Sequence, residues 1–286
     1  MTAKILDGKK LSEKILAGLK RKAGDLRRKG VIPRLDIVLV GKDAASRIYV
    51  RNKIRASEQI GVKGKLHSFP EKAGKEKLVS LIKKLNADKN VHGILVQLPL
   101  PKHLDEQAII DEIAPSKDVD GLTTCSIGKL VGGEALFEPC TPKGIMKLLE
   151  HERIPLEGKN AVVIGRSNIV GKPVALMLLK RNATVTICHS KTKRLQEHTK
   201  NADILVAAVG KANFVKESMV KKGAVVIDAG INSSGGKICG DVDFARVRMK
   251  ASRITPVPGG VGPLTVAMVI ENTIISAERS GRRLKR

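Results

Sequence analysis

Short apolar runs recur along this chain without polar alternation: Leu35-Asp-Ile-Val-Leu-Val40, Val91-His-Gly-Ile-Leu-Val96, Asn160-Ala-Val-Val-Ile164, Asp203–Val209 and Ala224–Asp228. A strand that buries both faces reads this way, and such strands belong to parallel sheets covered by helices. Stretches with helical spacing separate them. Leu11, Ile15, Leu19, Ala23 and Leu26 mark a helix from Leu11 to Arg28, and Ala44 to Ile60 reads as another, ended by Gly61. Helices are also expected over Lys75–Asn86, Lys143–Glu152, Val174–Lys180 and Pro263–Ala277, with further strands at Lys65–Phe69 and Ala183–Cys188. With no Trp and 2% aromatic residues, the core must be built from Val, Ile, Leu and Ala. The fold class is α/β.

A length of 286 residues suits two domains. We place the first over 1–141, with 264–286 returning to it, and a dinucleotide-binding Rossmann domain over 142–263. Cys125, Cys140, Cys188 and Cys239 are widely spaced, so neither disulfides nor a metal site is expected. Met1-Thr-Ala-Lys-Ile-Leu-Asp-Gly lacks an apolar signal core, and no run approaches the length of a membrane span. A cytoplasmic protein with no membrane partner is expected.

The formal charge of +25 raises nucleic-acid binding as one reading. The basic residues, however, are spread along the chain, and the aromatics that stack on bases are nearly absent. The densest groups are Lys20-Arg21-Lys22 with Arg27-Arg28-Lys29, and the tail Arg282-Arg283-Leu284-Lys285-Arg286. A solvated basic surface that attracts small anions accounts for them, and no nucleic-acid partner is expected.

Candidate chemistry starts at the single tyrosine. Tyr49 and Lys53 are four residues apart, so on a helix they share a face, with Cβ atoms roughly 5–6 Å apart. A phenol and an ammonium so placed can position a flat substrate and move a proton on it. The segment Gln97-Leu98-Pro99-Leu100-Pro101 follows a strand directly, and its prolines must turn it out at the carboxyl end, where α/β sheets bind ligands.

Strand 160–164 runs into Gly165-Arg166-Ser167-Asn168-Ile169-Val170-Gly171 before a helix. Such a turn lets backbone approach a pyrophosphate, although Ser167 replaces the middle glycine of the usual pattern. NAD sites place an acid about 20 residues on. Here no Asp or Glu occurs from Lys172 to Gln196, and the next strand ends in Cys188-His189-Ser190-Lys191, with Arg194 beyond. Those groups and Arg166 suit a 2′-phosphate, so NADP is favoured over NAD.

Six motifs in order then carry a resemblance across essentially the whole chain. They are Ser46-x-x-Tyr49-Val50-x-x-Lys53, Gln97-Leu-Pro-Leu-Pro101, Lys117-Asp-Val-Asp120-Gly121, Pro139-Cys-Thr-Pro142, Gly165-Arg-Ser-Asn-Ile-Val-Gly171 and Pro258-Gly-Gly-Val-Gly-Pro263. The chain resembles the bifunctional methylenetetrahydrofolate dehydrogenase/cyclohydrolases of one-carbon metabolism. The resemblance implies tetrahydrofolate substrates, with or without polyglutamate tails, NADP as cofactor, and a homodimer. It implies that Lys53 handles the proton of the cyclohydrolase step and that Gln97 holds Lys53 and favours its neutral form. It further implies that Tyr49 stacks on the folate, that Asp120 accepts from its pterin N–H groups, and that Leu98, Pro258, Gly259 and Gly260 line the substrate. Gly165, Arg166, Ser167, Ile169, Val170, Gly171, His189, Ser190, Lys191, Arg194, Ile231 and Thr265 would meet the cofactor. Ser126 and Leu264 stand where the family commonly has Asn and Met.

Rival readings are weaker. Short-chain dehydrogenases share Tyr-x-x-x-Lys, but there the glycine turn precedes the pair. A shikimate-type NADP dehydrogenase would share the domain order, yet it leaves Gln97–Pro101 and Pro258–Pro263 without a purpose. A binding-only relative would have no need of both Tyr49 and Lys53.

Overall fold

The structure, a computed structural model, describes residues 2–234 and 237–283. Residues 284–286 of the basic tail lie outside the described residues. The chain divides into two compact units, one of Lys14–Cys140 with Val266–Arg286 and one of Met1–Glu13 with Thr141–Thr265.

The first unit is built on a parallel sheet of three strands, with Arg34–Val40 between Lys63–Phe69 and Gly93–Val96. Successive residues of a strand face opposite sides, which explains why the central run is apolar on both faces apart from Asp36, whose buried carboxylate pairs with Arg34 and His67 at 2.7 Å each. Leu35, Ile37 and Leu39 pack with Leu19, Leu26, Met268 and Ile270, while Val38 and Val40 pack with Leu78, Ile82 and Val96. The helix Ala44–Gln59 opens on Asp43, whose carboxylate accepts the Ser46 N–H at 2.7 Å. It closes before Gly61, which takes the left-handed φ of +87° that a side chain would resist. Residues 266–283 of the helix Val261–Arg283 complete this core, and Asn272 Nδ2 donates there to the carbonyls of Val119 and Glu138.

The second unit holds a six-stranded sheet in the order Lys4–Ile5, Arg253–Ile254, Val225–Asp228, Ile204–Ala207, Asn160–Ile164, Thr184–Cys188. Every neighbouring pair is parallel. Strand order reverses at Asn160–Ile164, so the switch point lies between it and Ile204–Ala207. The expected placement of residues 1–141 in one domain needs correcting at its start. Lys4 and Ile5 add a strand to the edge of this second sheet, pairing with Arg253 and Ile254. A strand of two residues has no period to read, and only its partner reveals it. Among the described residues, no helix is long and apolar enough to cross a membrane.

His92 gives the first unit a pH response. It is buried just before the strand Gly93–Val96, and its Nδ1 accepts the Arg34 N–H at 3.2 Å. Burial, then the nearby Lys117 and Arg34 cations, push it down to about 4, with Asp88 opposing. The folded-state value therefore lies below the unfolded one. The stability of the neutral ring is present above pH ~6.5 and is lost as pH falls toward ~4, a change of at most about 3 kcal/mol. Tyr49 is the only tyrosine and the chain has no Trp, so tyrosine fluorescence during urea unfolding reports this unit. The His92→Gln variant is expected to lose this dependence between pH 6.5 and 4; curves parallel to wild type would refute the assignment.

Candidate active site and dinucleotide crevice

Lys53 is buried on the inner face of the helix Ala44–Gln59, and its Nζ donates to Gln97 Oε1 at 2.9 Å. Gln97 follows the strand Gly93–Val96, its N–H bonded to Val38 O, and its Nε2 donates to Leu98 O at 2.7 Å. That second bond fixes the amide, so its carbonyl oxygen faces the lysine. Tyr49 lies one turn before Lys53 and is half-buried, with burial raising its phenol above the usual value.

Asp120 completes the group from the loop after Lys117. Burial lowers the Lys53 pKa, against the charges of Asp120 and Cys140. Burial also raises Asp120; Lys53 opposes this, Asp118 adds to it, and a hydrogen bond from Cys140 lowers it again. Both shifts favour the uncharged forms, because little water remains to solvate either charge. A lysine in this setting can act as a base nearer neutrality than a free one.

Asp118, rather than Asp120, holds the loop in shape. Its buried carboxylate accepts from the Gly121, Leu122 and Thr123 N–H groups at 3.0, 3.2 and 2.9 Å, and from Ser126 Oγ at 2.6 Å. Ser126, a departure from the family pattern, thus acts as a donor to the loop organiser. Gly121 has φ +71°, and a Cβ there would lie 2.9 Å from Phe137 O. Cys140 donates to Val119 O at 3.2 Å. Sequence reasoning missed the roles of Asp118 and Cys140. The Asp-x-Asp spacing puts two acids in the loop, but only tertiary packing says which turns inward.

The remaining expected residues lie in the six-stranded unit. Gly165 leaves the strand Asn160–Ile164 at φ +124°, and a Cβ there would stand 2.1 Å from Ala208 O. Gly171 opens the helix Gly171–Leu179, where a Cβ would meet Gly165 O at 2.3 Å. Both glycines are needed for the close approach of turn, helix and neighbouring loop. Ser167 replaces a glycine but contributes a cap: its Oγ accepts from the Val170 and Gly171 N–H groups at 3.2 and 3.3 Å. Arg166 and Ile169 are exposed on the same turn.

After the next strand, His189 Nδ1 accepts the Lys191 N–H at 3.2 Å, while Ser190, Lys191 and Arg194 are exposed. Arg194 has φ +50° and pairs with Glu197 at 3.5 Å. The tight glycine turn at the switch point and the solvated cations beyond the second strand fit a phosphorylated dinucleotide. In the same unit, Pro258 follows a cis peptide, Gly259 has φ +107°, and the Lys9 N–H donates to Gly259 O at 2.8 Å. A Cβ on Gly260 would meet Pro256 O at 2.5 Å. Ile231 Cδ1 lies 4.0 Å from where a Cβ on Gly262 would be, so Ile231 adjoins this loop. Thr265 Oγ1 bonds Thr141 Oγ1 at 3.0 Å, and Leu264 is fully buried against Gly144.

Two family models match the chain. The catalytic domain of tetrahydrofolate dehydrogenase/cyclohydrolase matches residues 6–120, and its NAD(P)-binding domain matches residues 139–281. The bifunctional protein FolD of Nitrosospira multiformis is 52% identical over 286 residues, covering 100% of this chain and 99% of that protein. The bifunctional methylenetetrahydrofolate dehydrogenase/cyclohydrolase of Campylobacter jejuni superposes with a TM-score of 0.94 at 50% identity, covering 97% of this chain and 99% of that one. A Trypanosoma brucei enzyme of the same name, complexed with NADP and an inhibitor, gives 0.95 at 37% identity, covering 99% of both chains. Shikimate 5-dehydrogenase of Thermus thermophilus reaches only 0.53 at 15% identity, a likeness of fold alone.

Proposed function

This chain belongs to the tetrahydrofolate dehydrogenase/cyclohydrolase family, and we propose that it performs both reactions: NADP-dependent oxidation of 5,10-methylenetetrahydrofolate to the methenyl form, and hydrolysis of that product to 10-formyltetrahydrofolate. The observation that carries the reading is the buried Lys53–Gln97 bond at 2.9 Å with Asp120 beside it. The residues around Gly165 fit NADP, which when bound accepts a hydride from the folate methylene carbon.

The chain's own groups serve the second step. The methenyl carbon carries positive charge shared with two nitrogens, so water adds to it once a base removes a proton. Lys53, whose pKa burial lowers, takes that proton in its uncharged form, and Gln97 holds Nζ in place through the one N–H it accepts. The resulting carbinolamine breaks its bond to N5, which takes up a proton, leaving the formyl group on N10. Overall, methenyl cation and water give 10-formyl product and one proton. Asp120 accepts from the pterin N–H groups, and Tyr49 lies along the flat ring. Leu98 lines the substrate beside them, while in the other unit Arg166, Ser190, Lys191 and Arg194 would hold the 2′-phosphate.

The reading also makes the protein a cytoplasmic homodimer, a state that light scattering checks. Its central test is an absorbance assay of methylenetetrahydrofolate with NADP or NAD. Reduced NADP should form, and more slowly reduced NAD; formation of neither would sink the dehydrogenase assignment.

A further inference from the structure

Two buried aspartates lie at the carboxyl end of the six-stranded sheet, and the reactions just described use neither. Asp241 is fully buried. Its Oδ2 accepts the N–H groups of Val209 and Gly210 at 2.6 and 3.0 Å, and its Oδ1 accepts the Lys211 N–H at 2.8 Å and Asn232 Nδ2 at 2.9 Å. Three consecutive backbone N–H groups that converge in this way form a nest, an anion site made of main chain. Here the protein fills the nest with its own carboxylate.

Asp228 ends the strand Val225–Asp228 and fixes the segment that delivers Asp241. Its Oδ1 accepts the Gly230 and Asp241 N–H groups, each at 2.9 Å, and its Oδ2 accepts the Val242 N–H at 2.9 Å. Burial pushes Asp228 up to about 6, these amides pull it down, and the neighbouring Asp241 adds to the rise. The local sequence makes room for both acids. A Cβ on Gly230 would lie 2.2 Å from Asp241 Cγ, and one on Gly240 would lie 1.9 Å from Asp228 Oδ2.

The loop so held follows the strand Ile204–Ala207, on the far side of the switch point from Gly165. The two turns touch, since a Cβ on Gly165 would strike Ala208 O. Ligands of open α/β sheets bind in the crevice between such turns. The same network holds Gly230 and Asn232, the neighbours of Ile231, which stands 45% exposed.

We propose that Asp241, held in turn by Asp228, is a positioning residue for the dinucleotide. It sets the backbone of Val209–Lys211 as the second wall of the crevice before cofactor arrives. By occupying the nest it also leaves the Gly165 turn as the place for the pyrophosphate. This rests on the reading of the chain as an NADP-dependent dehydrogenase.

The test is Asp241→Asn, which keeps the shape but turns a donor toward the converging N–H groups. NADPH titration and the KM for NADP should weaken on the order of 10- to 100-fold, the cost of a broken charged hydrogen-bond set. Hydrolysis of methenyltetrahydrofolate, which consumes no NADP, should stay within about twofold of wild type. Asn232→Ala, which removes a single donor, should weaken NADP in the same direction by less.

An unchanged NADP affinity in Asp241→Asn would overturn the proposal. So would an equal loss of both activities, which marks a general structural defect. Should Asp241→Asn not fold, hydrogen exchange on the wild type decides. The Val209, Gly210 and Lys211 amides should be protected without NADP, and free exchange there would refute a preformed wall. Wild type that binds NADPH but reduces no NADP would sink the reaction assignment alone, and the Asp241→Asn titration would still decide this one. Wild type that binds no NADPH would overturn both.

Discussion

Lys53→Met should abolish hydrolysis of methenyltetrahydrofolate while leaving NADPH binding at its wild-type strength. Met matches lysine in length and suits a buried position, so the change removes the base with little effect on packing. A positioned general base contributes typically 10²–10⁴-fold, and a loss of about that size is expected. The variant also leaves Gln97 Oε1 without its donor, and Asp120 loses the one opposite charge that lowers its pKa. Asp120 should therefore shift further upward, weakening folate binding at neutral pH. The decay of methenyl absorbance measures the first effect, and NADPH fluorescence measures the control. A variant that hydrolyses at the wild-type rate would remove Lys53 from the mechanism. In the wild type, the rate should rise with pH as Lys53 loses its proton, and burial places that rise below the 10.5 of a free lysine.

Gly165→Ala should have the opposite selectivity, with NADP binding lost and hydrolysis retained. Two penalties combine at this position. The φ of +124° is one that a side chain rarely adopts, and the new Cβ would sit 2.1 Å from Ala208 O and 2.9 Å from its carbon. Neither backbone can yield without opening the switch-point turn. Strain of this kind costs of order 1–3 kcal/mol before the clash is counted, so a loss on the order of 10- to 100-fold in NADP affinity is expected. Gly210→Ala supplies the comparison. Its φ of +65° is also left-handed, but a Cβ there meets nothing within 4 Å. That variant should lose only about 1–2 kcal/mol of stability. If the two variants bind NADPH equally well, close approach at Gly165 is not what makes the site.

Much of the architecture is legible in particular residues. The runs at Leu35–Val40 and Asn160–Ile164 lack polar alternation because each strand is covered on both faces and has a neighbour on either side; the one charge inside them, Asp36, is ion-paired. Gly61 closes its helix as its backbone freedom allows. The glycine turn was readable despite Ser167, because a hydroxyl can cap the same N–H groups that a glycine would leave open. The short pieces were not readable. Lys4–Ile5 is a strand only through Arg253–Ile254, which in turn pairs with Val225 and Val226, and two residues carry no periodicity.

For the site, spacing alone put Tyr49 and Lys53 on one helical face, and the order of the six motifs pointed to the chemistry. Spacing could not say that Lys53 is buried, that Gln97 rather than an acid receives its proton donor, or that Asp118 turns inward to hold the loop bearing Asp120. Local sequence determined the elements, their parallel class and the residue types available for catalysis, because periodicity and backbone freedom act over a few residues. Only tertiary structure decided which charges lose water and which amides converge on Asp118 and Asp241. Desolvation and convergence are made by segments far apart in the chain, and these set the pKa of Lys53 and the shape of the crevice at Gly165.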